Sequence, residues 1–464
     1  MGVRRCEAFT TRWAPGGKKG LQAKKGPRGR GRAGRGRIEG IDPRQRKAIQ
    51  MSDVLERFLR YVQVDSQSDP NNELETPSTP RQHEMARVLG EELASIGLAD
   101  VAVDEHAYVT ATLPASAGAE DAPALMLCAH IDTAPDAPGA GVKPHVVRYE
   151  GGPLVAGIVD GAPVQTTPAQ VPDLAKFVGQ DIVVTDGTTL LGADDKAGVA
   201  EICALLARLV ADPELAHPTI KVAFVPDEEI GHGAGLLDLD KLGAAYGYTV
   251  DGETLGEFNY ECFSACEATV SVRGVMVHPG SAKDVMVNAI TVASEFEQLV
   301  PAWERPEHTC GREGFYHPTD IEGSASEVTL KYILRDFDAD KFSARETTFH
   351  QIAELLNSRY GEGTVKVEVR QQYRNMAEHF EGKEFLIDNA LEANREAGLE
   401  PSIVAVRGGT DGAQLTFRGL PCPNLATGGY NAHSVREFIP VASMEATVDM
   451  LARLVAKFAV AQGA

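Results

Sequence analysis

Residues 224–231 read FVPDEEIG. An apolar, strand-like run ends in three consecutive carboxylates, Asp227, Glu228 and Glu229. Like charges packed this closely repel one another unless a cation neutralises them. The same arrangement recurs along the chain. LMLCA (125–129) leads to His130 and Asp132, and YGYTV (246–250) to Asp251. IVVTDGTTLLGA (182–193) leads to Asp194, Asp195 and Lys196, and NLATGGYNA (424–432) to His433. Apolar runs of this kind suit strands covered on both faces. They alternate with helix-period segments such as 81–98 and 196–210. The pattern predicts an α/β fold, a mainly parallel sheet covered by helices.

Near Cys262 the pattern changes. ATVSVRGVMVHPG, EVTLKYILRDFD and TVKVEVRQQY alternate in the manner of strands, and 288–299 and 341–356 have helical period. That describes a smaller α+β unit inserted into the first domain, which resumes with a helix over 384–397 and the segment PCPNLATGG. The expected boundaries are 1–50 for a basic extension, 51–262 and 375–464 for the two parts of the catalytic domain, and 263–374 for a lid or substrate domain. A chain of 464 residues exceeds what one core usually serves.

The extension stands apart. It holds fifteen Lys and Arg against Glu7, Glu39 and Asp42, a net of +12, so the rest of the chain carries −21 − 12 = −33. GPRGRGRAGRGR has no hydrophobic period and is expected to be disordered. Its Gly/Arg content would suit RNA. A vector-derived or upstream-start extension explains it better, because 52–62 (SDVLERFLRYV) opens a convincing helix with Ser52 at its cap. The acidic body disfavours nucleic acid and anionic membranes as partners. No apolar run approaches the roughly 18 residues of a membrane span, and the first 50 residues lack the apolar stretch of a secretory signal. A cytoplasmic protein is expected. The seven scattered cysteines form no disulfide framework and no zinc-finger pairing.

In an open parallel sheet the carboxyl ends of the strands line one crevice, where ligands bind. Acids and imidazoles delivered there from five segments make an N/O donor set suited to Zn²⁺, Mn²⁺ or Co²⁺. Each piece alone has an ordinary reading. His130 and Asp132 can be a strand-end pair, the acids of GADDK a helix start favoured by the dipole, and Glu228, Glu229, Asp251 and His433 loop residues. The ordinary readings must hold at all five places at once, which favours a metal.

HIDT, LLGADDKAGVAEI, VPDEEIG, YTVDGE, VHPGSAK, RGGTDGA and GGYNAHSVREF together resemble the peptidase T family. These are tripeptide aminopeptidases within the dinuclear zinc peptidases that also include carboxypeptidase- and aminoacylase-like enzymes. The similarity runs from about residue 51 to the C-terminus. The resemblance implies two divalent cations, zinc with cobalt or manganese as alternatives. His130 and Asp251 would hold one, Glu229 and His433 the other, and Asp194 would bridge both. It implies that Asp132 orients His130, that Glu228 is the general base, and that His278 is an oxyanion donor from the inserted unit. Arg335 and Arg407 are candidates to clamp a substrate carboxylate, with ion pairs to Asp336 and Asp411 as the equal alternative. The implied substrate is a small peptide, and a homodimer is left open. A dipeptidase, an N-acyl amino acid hydrolase and a metal-dependent peptide-binding protein stay as alternatives.

Overall fold

A computed structural model of the protein describes residues 52–72 and 74–459. The disorder expected over 1–50 lies outside the described residues. The larger sheet has eight strands, in the spatial order Ala99–Val103, Val109–Leu113, Ile220–Val225, Leu125–His130, Tyr246–Gly252, Asn424–Ala426, Glu257–Asn259 and Ser402–Ile403. The four central strands, from Ile220–Val225 to Asn424–Ala426, run parallel. Antiparallel partners extend the sheet on either side of them.

The Leu125–His130 strand shows why the centre is parallel. Leu125, Leu127 and Ala129 enter one apolar cluster with Val199, Ile202 and Leu451. Met126 and Cys128 enter another with Leu242, Leu415 and Cys422. Successive side chains on a strand point to opposite faces, so burial at all six positions requires cover on both. Helix Ala193–Ala211 supplies much of that cover. Its first acids, Asp194 and Asp195, have non-helical dihedrals (φ −84°, ψ 105° and φ −119°, ψ 29°), so the regular helix begins after them. Gly198 lets the helix lie against the sheet: a Cβ there would stand 1.9 Å from Val250 O and 2.5 Å from Asp195 Oδ1.

The smaller sheet is antiparallel throughout, in the order Phe315–Gly323, Glu327–Asp336, Ser264–Arg273, Val365–Tyr373. Helices Ala289–Leu299 and Ala339–Tyr360 share a core with it that includes Val270, Phe296, Leu330, Tyr332 and Phe349. Strand Phe315–Gly323 escapes a reading by hydrophobic alternation. It is an edge strand, exposed over its second half, and its register slips between Pro318 and Asp320, as Pro at an edge allows. The run at 182–185, expected to join the parallel sheet, is instead strand Asp181–Val184 in a separate three-stranded antiparallel sheet, between Phe438–Pro440 and His145–Arg148. The sheet's short strands give too few residues for a period to register.

One further expectation needs correction. Ser52 occupies the cap position of helix Asp53–Tyr61, but its side chain makes no capping hydrogen bond. Cys128, Cys203, Cys262, Cys266 and Cys422 are free and buried.

Gly198→Ala should destabilise the protein by at least about 1–3 kcal/mol, the usual range for overpacking. Denaturant unfolding against the parent protein measures it.

Candidate metal centre

The parallel register sets two of the donors side by side. His130 pairs with Val225, and Cys128 stands opposite Thr249, which brings Asp251 level with His130. Asp251 Oδ1 lies 3.5 Å from His130 Nε2, and Asp194 Oδ1 lies 2.9 Å from the same nitrogen. Asp194 Oδ2 faces the other way, 3.4 Å from His433 Nε2, which is itself 2.9 Å from Glu229 Oε2. One carboxylate thus stands between two imidazoles, each with a second acid beside it. Donor atoms of His130, Asp194 and Glu229 lie within 4.8 Å of one another, as do those of His130, Glu228 and Asp251.

Main-chain amides hold the acids in place. Asp132, fully buried, accepts from Glu228 N (3.1 Å) and Glu229 N (3.2 Å). Its Oδ1 is 3.2 Å from His130 Nδ1, close but not aligned as a hydrogen bond, since that nitrogen has no hydrogen-bond partner. Asp195 Oδ2 accepts from His130 N at 3.1 Å. Of the three acids in FVPDEEIG, Asp227 turns away. In a left-handed conformation (φ 55°), it accepts from Ser78 N, Ser78 Oγ and Gln82 Nε2 at 2.5–2.6 Å. Hydrogen-bond donors offset that charge, and only Glu228 and Glu229 enter the cluster.

The electrostatics follow from burial among like charges. Burial, then Asp251, pushes Glu228 well above the usual carboxylate range. Burial, then Asp194, pushes Glu229 up to about 8. Burial raises Asp251 to about 6. Burial works against Asp194 too, yet contacts from His130 and His433 hold it below its ordinary value. The reciprocal contacts with Asp194 and Glu229 raise His433 to about 11. Glu229 Oε1 is buried without a hydrogen-bond partner. A buried acceptor left unpaired costs about 1–3 kcal/mol, more when charged. Imidazole nitrogens and carboxylate oxygens in this arrangement fit divalent cations of the zinc, manganese or cobalt type.

The sequence model of peptidase family M20/M25/M40 matches residues 184–457. The chain belongs to that family. The match takes in Asp194, Glu228, Glu229, Asp251 and His433 and begins after His130. Among its M20 relatives, a peptidase T from Geobacillus kaustophilus is 46% identical over 407 residues, covering 88% of this chain and 98% of that protein. A peptidase T from Clostridium novyi is 45% identical over 406 residues, covering 87% and 99%. The crystal structure of aminopeptidase PepT from Bacillus cereus superposes with a TM-score of 0.68 at 25% identity, covering 88% of this chain and 98% of that one.

The peripheral candidates fare differently from the M20 donor cluster. His278 sits on an exposed turn where its Nδ1 accepts from Gly280 N at 3.1 Å, and no hydrogen bond or ion pair joins it to the cluster. Neither arginine pairs with its neighbouring Asp. Arg335 donates to Leu334 O (3.0 Å) and Cys266 O (3.3 Å) and lies over the Tyr373 ring. Asp336 is bound instead by Arg345 at 2.8 Å. Arg407 donates to Gly311 O and Glu313 O, both at 2.8 Å, and to Thr309 Oγ1 at 3.0 Å, stacked on Phe263 and Phe315. Arg407 therefore has a structural task, tying the 309–313 loop to the segment after strand Ser402–Ile403.

Two acids went unread in the sequence. Asp136 Oδ2 lies 3.3 Å from His433 Nδ1, the counterpart of Asp132 beside His130. It stands in the same HIDTAPD segment, which was the available signal. The other is Glu437, whose carboxylate accepts from Leu191 N, Gly192 N and Asp194 N. Its place after His433, in SVREF, gave no hint.

Asp132→Asn should keep the fold and weaken divalent-cation binding about 10- to 100-fold, the usual effect of losing a partner that orients a metal ligand. Cation titration of the metal-stripped protein checks it.

Proposed function

We propose that this chain is a metal-dependent aminopeptidase that removes the N-terminal residue from tripeptides. The observation that carries the reading is Asp194, one carboxylate facing His130 with Asp251 on one side and His433 with Glu229 on the other. On this reading His130 and Asp251 would hold one divalent cation and Glu229 and His433 the second, with Asp194 serving both. The pair, when bound, supplies Lewis-acid polarisation of the scissile carbonyl and lowers the pKa of the attacking water. The peptidase T names of relatives 45–46% identical over nearly their whole length support the substrate class. Zinc as the native metal and a cytoplasmic location belong to the same reading.

The chain's own residues do the remaining work. Glu228 is the proton carrier. Its backbone is fixed by Asp132, and its carboxyl lies within 4.8 Å of the donor atoms of His130 and Asp251. A carboxylate of that kind takes a proton from water and returns it to the leaving amine near neutral pH. Asp132 keeps Glu228 and Glu229 in register, because its two oxygens bind their successive amides. His278 would act as oxyanion donor only after the Ser264–Tyr373 unit closes over the crevice, and that closure is part of the proposal. The substrate carboxylate would meet Arg335, whose Nη1 is held by two carbonyls.

Purified protein should hydrolyse a free tripeptide to an amino acid and a dipeptide, and a chelator should abolish the reaction. An N-acetylated amino acid should not be cleaved; its hydrolysis in preference to the tripeptide would sink the aminopeptidase reading. Glu228→Gln should lower kcat about 10²- to 10⁴-fold, the contribution typical of a positioned acid–base group, with the content of bound metal unchanged.

A further inference from the structure

Glu437 has the hallmarks of a side chain with a specific task. It is 1% exposed. One oxygen, Oε2, accepts from Leu191 N and Gly192 N at 2.7 Å each, and the other, Oε1, accepts from Asp194 N at 3.0 Å. Three main-chain donors on one carboxylate form a pattern that only an acceptor-only group can complete. The loop it binds is the one that must be held. Gly192 is left-handed (φ 80°) and Asp194 and Asp195 are non-helical, so the helix's own hydrogen bonds do not fix them.

The same residue closes the opposite loop. Glu437 N donates to Ser434 O at 3.1 Å, and Phe438 and Tyr430 exchange backbone hydrogen bonds around the turn that carries His433. His433 and Asn431 both have positive φ (61° and 57°), a conformation non-glycine residues hold only when their surroundings enforce it. Glu437 thus joins two ligand-bearing loops more than 240 residues apart in sequence, at the separation where Asp194 Oδ2 and His433 Nε2 meet.

We infer that Glu437 is a positioning residue that sets Asp194 against His433, so that the second cation of the pair binds only when its carboxylate grips the 191–194 loop. The inference rests on the two-cation reading above. Its consequence is unequal: the Glu229–His433 side should suffer, while the His130–Asp251 side, held by its own strands, should keep its cation.

Glu437→Gln tests it. The amide keeps the side chain's shape but turns an NH₂ toward one of the three N–H donors. Metal-stripped wild-type and variant proteins are titrated with Co²⁺, following heat and the visible spectrum, with circular dichroism and thermal melting of the metal-free forms alongside. Wild type should take up two Co²⁺. Should it take up fewer than two, the two-cation reading itself fails, whatever the variant does. Glu437→Gln should bind the first Co²⁺ as wild type does and the second at least 10-fold more weakly, with an altered spectrum and an unchanged fold. Equal affinity for both ions and an unaltered spectrum would overturn the inference. If Glu437→Gln does not fold, Glu437→Asp decides: a folded protein with a weakened second site supports the inference, and unchanged binding overturns it. Failure of both variants to fold assigns Glu437 to stability alone and overturns it as well.

Discussion

Carboxylates crowded at the ends of parallel strands are the constraint on which the molecule is organised. Each strand that brings an acid to the crevice adds repulsion, and burial makes every such charge harder to hold. The protein meets this largely with directed hydrogen bonds, alongside the buried Lys196 ammonium, which interacts electrostatically with Asp132 and Glu437. Asp132 takes two amides, Asp195 one, Glu437 three, and Asp227 is covered by Ser78 and Gln82. Glu228, Glu229, Asp251 and Asp194 instead stand around two imidazoles, while away from them Glu201 keeps both carboxylate oxygens buried without a hydrogen-bond partner. The polar framework thereby selects which acids are available to a cation and which are spent on the scaffold.

That division explains how much could be read beforehand. Runs such as LMLCA and VAFVP are apolar on both faces, and double burial leaves an unmistakable trace in sequence. The helices over 81–98 and 196–210 follow from period. Donor residues at strand ends were legible because strand polarity fixes which end they occupy. The M20 resemblance gave roles to residues already singled out.

What remained illegible depends on long-range contact. Glu437 is one acid among 66 Asp and Glu, and only its approach to residues 191–194 distinguishes it. Asp227 was grouped with its neighbours because composition does not reveal that a left-handed backbone points it elsewhere. Arg407 suggested an anion clamp, yet three of its N–H donors go to carbonyls and a hydroxyl of the 309–313 loop. Edge strand Phe315–Gly323 was missed because Pro318 and its exposed half erase the alternation that marks an interior strand.

The position of His433 has a consequence for biosynthesis. Its turn is pinned by Phe438–Pro440, which pairs with Asp181–Val184, and the closing helix Val441–Lys457 packs on helix Ala193–Ala211. During translation, three of the four central parallel strands and four of the five donor segments leave the ribosome before this turn does. A nascent chain can therefore adopt much of its architecture while its crevice still lacks one imidazole. The donor set is complete only once this turn has emerged.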